Sequence, residues 1–263
     1  MNIFLHSPFG LLTQEATTLF LLAKYLGGKQ GAVSQLICNG IFSLCERDAE
    51  SEWGRGLLSC SACIGEQRML GQMCNLSYAE LSTYLDAAQV SETKRWIDSV
   101  KNEELLSCTI EKTSVFELCV GSFQSRFGTV APNLDEIHHE EVLRRLLLAS
   151  ARMLLASNNF LVQERPELLL VAGGEDFITR TLLYQSYASN VPSAMIRWDP
   201  VDRQVLIVRS PAATQKRVDV NVYSSELLAL PQAEWPLEVR RSICAIAQFL
   251  DVPLHSLLDP HHE

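Results

Sequence analysis

The feature that most constrains the fold is a strand, helix, strand succession at the start of the chain. Asn2–His6 is a short apolar run, Gln14–Leu26 carries apolar residues at helical spacing, and Ala32–Cys38 is typical of a second strand. Gly27 and Gly28 end the helical pattern, as glycine commonly does just after a helix. Because parallel neighbouring strands need a crossover of this kind, the succession predicts a parallel sheet with a right-handed connection.

The same succession returns in the second half of the chain. Glu167–Ala172 is typical of a buried strand, Gly173 and Gly174 form a turn, and Glu175–Ser189 is typical of a helix. Pro192–Trp198 then resumes as a strand. We therefore predict an α/β fold in which helices flank a Rossmann-like parallel sheet.

The segments between these two units are assigned from their hydrophobic pattern. Helices are expected at Ser77–Ala88 and Ser91–Asn102, and a longer one with a broad apolar face at His138–Asn158. The β-branched and aromatic run Val115–Val120 is interpreted as a strand.

The end of the chain predicts a hairpin followed by a helix. Ser193–Trp198 and Gln204–Arg209 flank a turn-forming segment, and Arg217–Tyr223 alternates as a further strand. Trp235–Leu250 is amphipathic, with a proline near its first turn. We expect residues 199–263 to pack as an extension on a domain formed by residues 1–198.

Composition and charge limit the class of partner and the compartment. The 263 residues are 47% hydrophobic and 20% charged, which is normal for a globular protein. A net charge of −9 argues against nucleic-acid binding, which selects for basic surfaces. The N-terminal segment lacks the pattern of a signal peptide, and no apolar run is long enough to span a bilayer. A cytoplasmic location without a transmembrane segment is therefore expected.

Residues 38–74 form a cysteine-rich segment, which we interpret as a metal-binding insertion. Cys38, Cys45, Cys60 and Cys63 follow the spacing C-x6-C-x14-C-x2-C, and Cys74 follows ten residues later. In a reducing compartment such thiols serve more often as metal ligands than as disulfides. The first four predict either a tetrahedral zinc site or a [4Fe-4S] cluster, and the spacing does not separate the two.

Two other interpretations of these cysteines stay open. Scattered cysteines behave as small hydrophobic side chains in a core, and a C-x-x-C pair can be redox-active. Cys74 is either a fifth ligand or a spare thiol. Cys108, Cys119 and Cys244 lie in apolar surroundings and are expected in the core.

The loops after the predicted parallel strands are the expected place for a ligand. One loop follows the first strand and one joins a strand to a helix. Arg126 is expected in a further loop, Gly121–Gly128, that faces the cleft. The candidate ligand-contacting residues are His6, Ser7, Gly10, Arg126, Gly173, Gly174 and Glu175. Two glycines before a helix can bring a phosphate to backbone N–H groups, but the acidic pair after them favours a hydroxyl ligand or a helix cap.

Several passages resemble bacterial surface- or capsular-polysaccharide biosynthesis proteins of glycosyltransferase type. They are LICNGIFSLCERD with CSACIGEQ, then VGSFQSRFG, and the helix LRRLLLASARMLLASNNFLVQ that runs into ERPELLLVAGGEDFITRTLLYQSYASNVPSAMI. The resemblance covers residues 1–198. It implies two Rossmann-like domains, of which the N-terminal one binds the acceptor and the C-terminal one binds a nucleotide sugar. Ala172 stands where that family has an asparagine.

The resemblance leads to two hypotheses for function. Only 65 residues follow Trp198, whereas a second Rossmann domain needs more than about 100. We therefore expect a glycosyltransferase-like protein of surface-glycan assembly, acting on a small-molecule or glycan ligand, with a partner protein that supplies the donor-binding domain. If it is catalytic, His6 or Glu175 is the expected general base. The alternative is a non-enzymatic accessory or sensing protein that binds a metal or an iron–sulfur cluster.

Overall fold

A seven-stranded, mostly parallel sheet lies at the centre of the molecule. The computed structural model describes residues 1–8, 13–27, 33–42, 44, 57–210, 214–219 and 225–252. The strands, in chain order, are β1 (Ile3–His6), β2 (Val33–Ile37), β3 (Ser77–Glu80), β4 (Thr109–Ile110), β5 (Thr113–Ser114), β6 (Leu168–Ala172), β7 (Ser193–Asp199), β8 (Gln204–Ser210) and β9 (Gln215–Asp219). Within the sheet the order is β3-β2-β1-β6-β7-β8-β9, and β4 with β5 forms a separate hairpin.

Seven α-helices of the described part surround the sheet. They are α1 (Gln14–Gly27), α2 (Leu57–Met73), α3 (Ala87–Ser99), α4 (Val115–Phe127), α5 (Ile137–Glu164), α6 (Phe177–Ala188) and α7 (Leu237–Phe249). β3, β2, β1, β6 and β7 are parallel, while β8 and β9 continue the sheet in antiparallel pairing. The predicted mixed α/β fold with helices flanking a mostly parallel sheet is thus confirmed.

The sheet separates two hydrophobic cores. Side chains alternate along each strand, so Leu5 and Leu170 pack on the side of α1 and α7. Phe4 and Leu169 face the other side, where the rings of Phe4 and Phe160 of α5 meet edge to face with centroids 4.9 Å apart. Because both faces are covered, β6 is buried along its whole length, which explains its uninterrupted apolar sequence.

Two assignments made from the sequence are wrong. Val115–Val120 is the first half of α4 and not a strand. The hydroxyl of Ser114 accepts a hydrogen bond from the Glu117 N–H, and Gly128 ends the helix with a left-handed φ of 70°. Helical spacing of the buried residues determined the outcome, against the strand preference of valine and phenylalanine.

The second error concerns Ser77–Ala88. Its first four residues form β3, an edge strand that pairs with β2. The next helix begins only at Ala87, where Asp86 and Gln89 form a reciprocal capping box. Among the helices of the described ranges, none is long and apolar enough to cross a membrane.

Candidate functional site

The carboxyl ends of β1 and β6 meet at one edge of the sheet. β1 pairs with both β2 and β6, and His6 lies opposite Val171 in the register with β6. From β1 the chain proceeds to β2 and β3 on one side, while β6 and β7 extend the sheet on the other. Connections diverge at such a point, and open α/β sheets bind ligands there. The structure thus brings His6 and Ser7 to the same edge as Gly173 and Gly174, and Gly10 lies outside the described residues.

His6 is the most unusual polar residue at this edge. Its side chain is fully buried, and Nδ1 lies 2.8 Å from the carbonyl oxygen of Leu36. Since a carbonyl only accepts, Nδ1 carries the proton and Nε2 presents a lone pair. Nε2 has no hydrogen-bond partner within the described ranges. Burial lowers the pKa of His6 to about 4, so the ring is neutral at physiological pH.

The two glycines after β6 are explained by packing. Gly173 has a φ of 86° and Gly174 a φ of 139°, both in the region that favours glycine. A Cβ on Gly174 would lie 2.2 Å from the sulfur of Met195 on β7. The N–H of Gly173 donates to the carbonyl of Ile196 at 3.0 Å. The turn therefore holds β6 against β7, and no ligand is needed to account for its glycines.

The N-terminus of α6 is already saturated with hydrogen bonds. Its first four N–H groups are bonded to Ser122 Oγ (from Phe177, 2.9 Å), Asp176 Oδ1 (from Ile178 and Thr179, 3.0 and 2.9 Å) and the Asp176 carbonyl (from Arg180, 3.0 Å). A phosphate would find no free donor there. Of the two roles weighed for this loop, helix capping is the one observed, and the cap is Asp176. Desolvation raises the pKa of this carboxyl group against the opposing effect of its hydrogen bonds.

Glu175 lies beside the cap but points outward. Its carboxylate forms an ion pair with Arg197 at 2.9 Å, and 68% of its side chain is exposed. Its backbone carbonyl contacts α4, where a Cβ on Gly121 would lie only 2.3 Å from the oxygen. Arg126 was expected in a loop facing the cleft, but it lies in the last turn of α4.

The predicted metal ligands in the described ranges come from the end of β2 and from α2. Cys38 follows β2 and is buried, and the Gly40 N–H is 3.5 Å from its sulfur. Cys60 and Cys63 share a face of α2. Cys45 lies outside the described residues. In the described ranges no three histidine, cysteine or acidic side chains are grouped as metal ligands, so the four-cysteine centre stays a prediction.

Hydrogen bonds to sulfur distinguish the cysteines. The side-chain amide of Gln67 lies 3.6 Å from the sulfur of Cys63, so Cys63 and Cys38 both accept N–H groups. Cys74 instead donates to the Phe20 carbonyl, and burial raises its thiol pKa to about 12. Thiolate ligands accept such N–H groups, whereas a protonated, desolvated thiol belongs to a core. Cys74 therefore packs as a core residue.

Sequence reasoning did not predict the cavity that we call the α6 cleft. It has a volume of about 550 Å³ and lies between the β4–β5 hairpin, α4, α6 and the β7–β8 pair. It is lined by Lys112, Thr113, Ser114, Glu117, Leu118, Arg180, Leu183, Tyr184, Tyr187, Met195, Val208 and Ser210. The available sequence signal was the helical spacing of its four α6 residues.

Comparisons with known proteins place the chain in no family. No protein-family model matches it, and no curated protein matches it. A solved structure described as a CDPS from Fluoribacter dumoffii shares 8% identity, covers 79% of this chain and 90% of its own, and gives a TM-score of 0.45. Two forms of a teicoplanin deacetylase, a triple mutant and a zinc-inhibited form, share 9% and 11% identity with TM-scores of 0.36. Both cover 95% of this chain and 81% and 84% of their own. Likeness at this level assigns no function.

Proposed function

We propose that this protein acts in surface-glycan or glycoconjugate assembly as a glycosyltransferase-like protein with a Rossmann-like sheet. The observation that carries the proposal is the buried Nε2 of His6, a hydrogen-bond acceptor without a partner in the described ranges, at the edge where β1 and β6 diverge. A buried acceptor is stabilised when a donor reaches it, and a sugar hydroxyl is such a donor.

The protonation state of His6 defines its role. With a pKa of about 4, the imidazole accepts a hydrogen bond readily but holds a transferred proton poorly. In glycosyl transfer an acceptor hydroxyl oxygen bonds to the anomeric carbon, the leaving group departs with its electron pair, and the hydroxyl proton passes to a base. We infer that Nε2 orients the hydroxyl. The hydroxyl proton is assigned to the carboxylate of Glu175, the other base expected from the sequence, which is exposed and paired with Arg197.

A partner protein that supplies the donor-binding domain is part of this proposal. Residues after β7 form β8, β9 and α7, which extend or cover the same sheet. Within the described ranges one large sheet and the small β4–β5 hairpin are present, and the nucleotide sugar is assigned to the partner. A cytoplasmic location is proposed with it, because no disulfide joins any two of the seven described cysteines.

Thermal unfolding with a panel of nucleotide sugars tests the proposal, with and without a glycan acceptor and the candidate partner. A ligand that binds the folded state raises the melting temperature, so at least one combination should give a reproducible increase. His6→Asn keeps a donor for the Leu36 carbonyl but removes Nε2. This variant should lose the part of the melting-temperature increase that depends on the glycan acceptor. His138→Asn, on the exposed start of α5, is the matched control. No increase in any combination would contradict the proposal.

The second candidate is a non-enzymatic accessory or sensing protein that binds zinc or a [4Fe-4S] cluster. The N–H groups directed at the sulfurs of Cys38 and Cys63 favour it. Anaerobic purification, metal analysis and a visible spectrum test it. A broad band near about 400 nm with iron and sulfide indicates a cluster, and colourless protein with bound zinc indicates a zinc site. Cys60→Ser with Cys63→Ser should remove the metal, whereas Cys119→Ser should not.

A further inference from the structure

We propose that the α6 cleft binds an acidic saccharide, a sugar ring that carries a carboxylate or a phosphate. The inference rests on the glycan-assembly function proposed above and names the ligand class of the acceptor. The volume of the α6 cleft, about 550 Å³, lies within the usual range for small-molecule sites, roughly 300 to 1,000 Å³.

The charge of the cleft favours an anion. Arg180 and Lys112 line it, and neither side chain has an ion-pair or hydrogen-bond partner in the described part of the chain. Elsewhere Arg197 and Arg217 are paired with carboxylates. Glu117 is the acidic residue of the lining. With two cations and one carboxylate, the lining of the cleft has a positive formal charge, on a protein whose net charge is −9. A carboxylate or phosphate would pair with both cations.

The backbone that carries Lys112 is strained. Glu111 and Lys112 form the two-residue turn between β4 and β5 with φ values of 49° and 70°. Turns of this kind strongly prefer Asn-Gly, because both central residues have positive φ. Strained residues persist mainly where they serve binding or catalysis. The strain here places a lysine at the cleft where glycine would suit the backbone better.

Two tyrosines provide a surface for the sugar ring. Tyr184 and Tyr187 of α6 are 41% and 63% exposed, so part of each ring is accessible to a ligand. The Tyr184 hydroxyl lies 3.2 Å from Thr113 Oγ1, which ties α6 to the β4–β5 hairpin. Aromatic rings offer an apolar face with a polar tip, and hydroxyls such as that of Ser210 complete a lining suited to a polyol.

One residue of the cleft also contacts the turn after β6. Met195 lines the cleft and also packs against Gly174 of the turn after β6. Arg180 lies in the first turns of α6, with Nη1 3.9 Å from the position of a Cβ on Gly121. The cleft therefore adjoins the turn that follows β6.

Isothermal titration calorimetry on the full chain tests the proposal with four probes. They are a glucuronic acid–glucose disaccharide, glucose 1-phosphate, cellobiose and uridine monophosphate. We expect one or both acidic sugars to bind at least tenfold more tightly than cellobiose, and to weaken as salt is raised. The first two probes distinguish a carboxylate from a phosphate. Equal binding of cellobiose, no binding of either acidic sugar, or tightest binding of uridine monophosphate would overturn the proposal.

Variants assign the binding to the cleft. Arg180→Gln should weaken the acidic sugar at least tenfold. Lys112→Gly should weaken it at least threefold while raising the melting temperature by about 2 °C, because glycine relieves the turn. Arg240→Gln, on α7, should change neither the affinity for the acidic sugar nor the melting temperature. Wild-type affinity in both cleft variants would refute the assignment. These titrations contain no nucleotide sugar and no partner protein, so failure of cleft binding is distinguishable from failure of the transferase proposal.

Discussion

The carboxyl edge of the sheet and the α6 cleft differ in how completely their polar groups are paired. At the edge, the first four N–H groups of α6 are all hydrogen-bonded within the protein. In the cleft, Arg180 and Lys112 have no partner in the described ranges. The edge carries the glycine pair that suggests phosphate binding, yet that pair is structural. Polar groups that the fold leaves unpaired are therefore a better guide to a candidate ligand site here than the local glycine motif.

His6 is the exception at the edge, and its burial predicts the largest effect. The pKa of His6 is 6.5 in the unfolded chain and about 4 in the folded protein. The neutral ring is therefore favoured by folding, and its full contribution to stability is present above pH 6.5. That contribution is lost as the pH falls from 6.5 to 4, because only the unfolded chain takes up the proton. The difference corresponds to about 3 kcal/mol in the free energy of unfolding.

Urea unfolding of wild type and His6→Asn between pH 7 and pH 4 measures this difference. The wild type should lose about 3 kcal/mol more than the variant over that range. Parallel curves would mean that the folded His6 ring reaches water and titrates normally. His138→Asn, which removes an exposed histidine, should follow the wild type.

Gly121→Ala tests whether the edge is held by close packing. A Cβ there would lie 2.3 Å from the carbonyl oxygen of Glu175, and a backbone atom cannot move away as a side chain can. We expect a loss of about 2 to 3 kcal/mol on urea unfolding. Gly65→Ala, in α2 with open space around its Cβ, should instead gain up to about 1 kcal/mol. Equal effects of the two changes would contradict the packing role of Gly121.

The elements that could be predicted from the sequence are those whose hydrophobic pattern matches the burial of their side chains. β1 and β6 are largely apolar because helices cover the sheet, and α5 has a broad apolar face. β3 was missed because an exposed edge strand of sequence SYAE has no hydrophobic alternation. α4 was missed because strand-forming residues occupy helical positions, and its neighbours decide its structure.

The site was predictable only where it follows from strand order. Placing His6 beside Gly173 needs only the expectation that β1 and β6 are adjacent. The α6 cleft combines residues near positions 112, 184 and 208, which approach through tertiary packing. Nothing local indicates that the Gly121 backbone contacts Glu175, or that the Lys112 turn is strained. Free charges in a cavity are a property of the folded chain.

Ser122→Ala tests the hydrogen bond between α4 and the start of α6. The hydroxyl of Ser122 accepts the Phe177 N–H at 2.9 Å in a buried position. Removing an acceptor from a buried donor should cost about 1 to 2 kcal/mol of unfolding free energy. Ser91→Ala, which removes an exposed hydroxyl on α3, should change it by less than about 0.5 kcal/mol. A Ser122 effect no larger than the Ser91 effect would mean that water replaces the lost acceptor.

Asp176→Asn gives the smallest expected effect and separates the cap from its charge. Asparagine caps helices about as well as aspartate, so stability at pH 7 should change by less than about 1 kcal/mol. The raised pKa of the folded carboxyl group means that its protonated form contributes stability below pH 3.8, which is lost as the pH rises through the folded value. Wild type should therefore gain stability relative to the variant on acidification from pH 7. If the wild type instead lost stability relative to the variant on acidification, the hydrogen bonds at the α6 N-terminus would outweigh desolvation. The Asp176 carboxylate would then be stable without a counter-ion from a ligand.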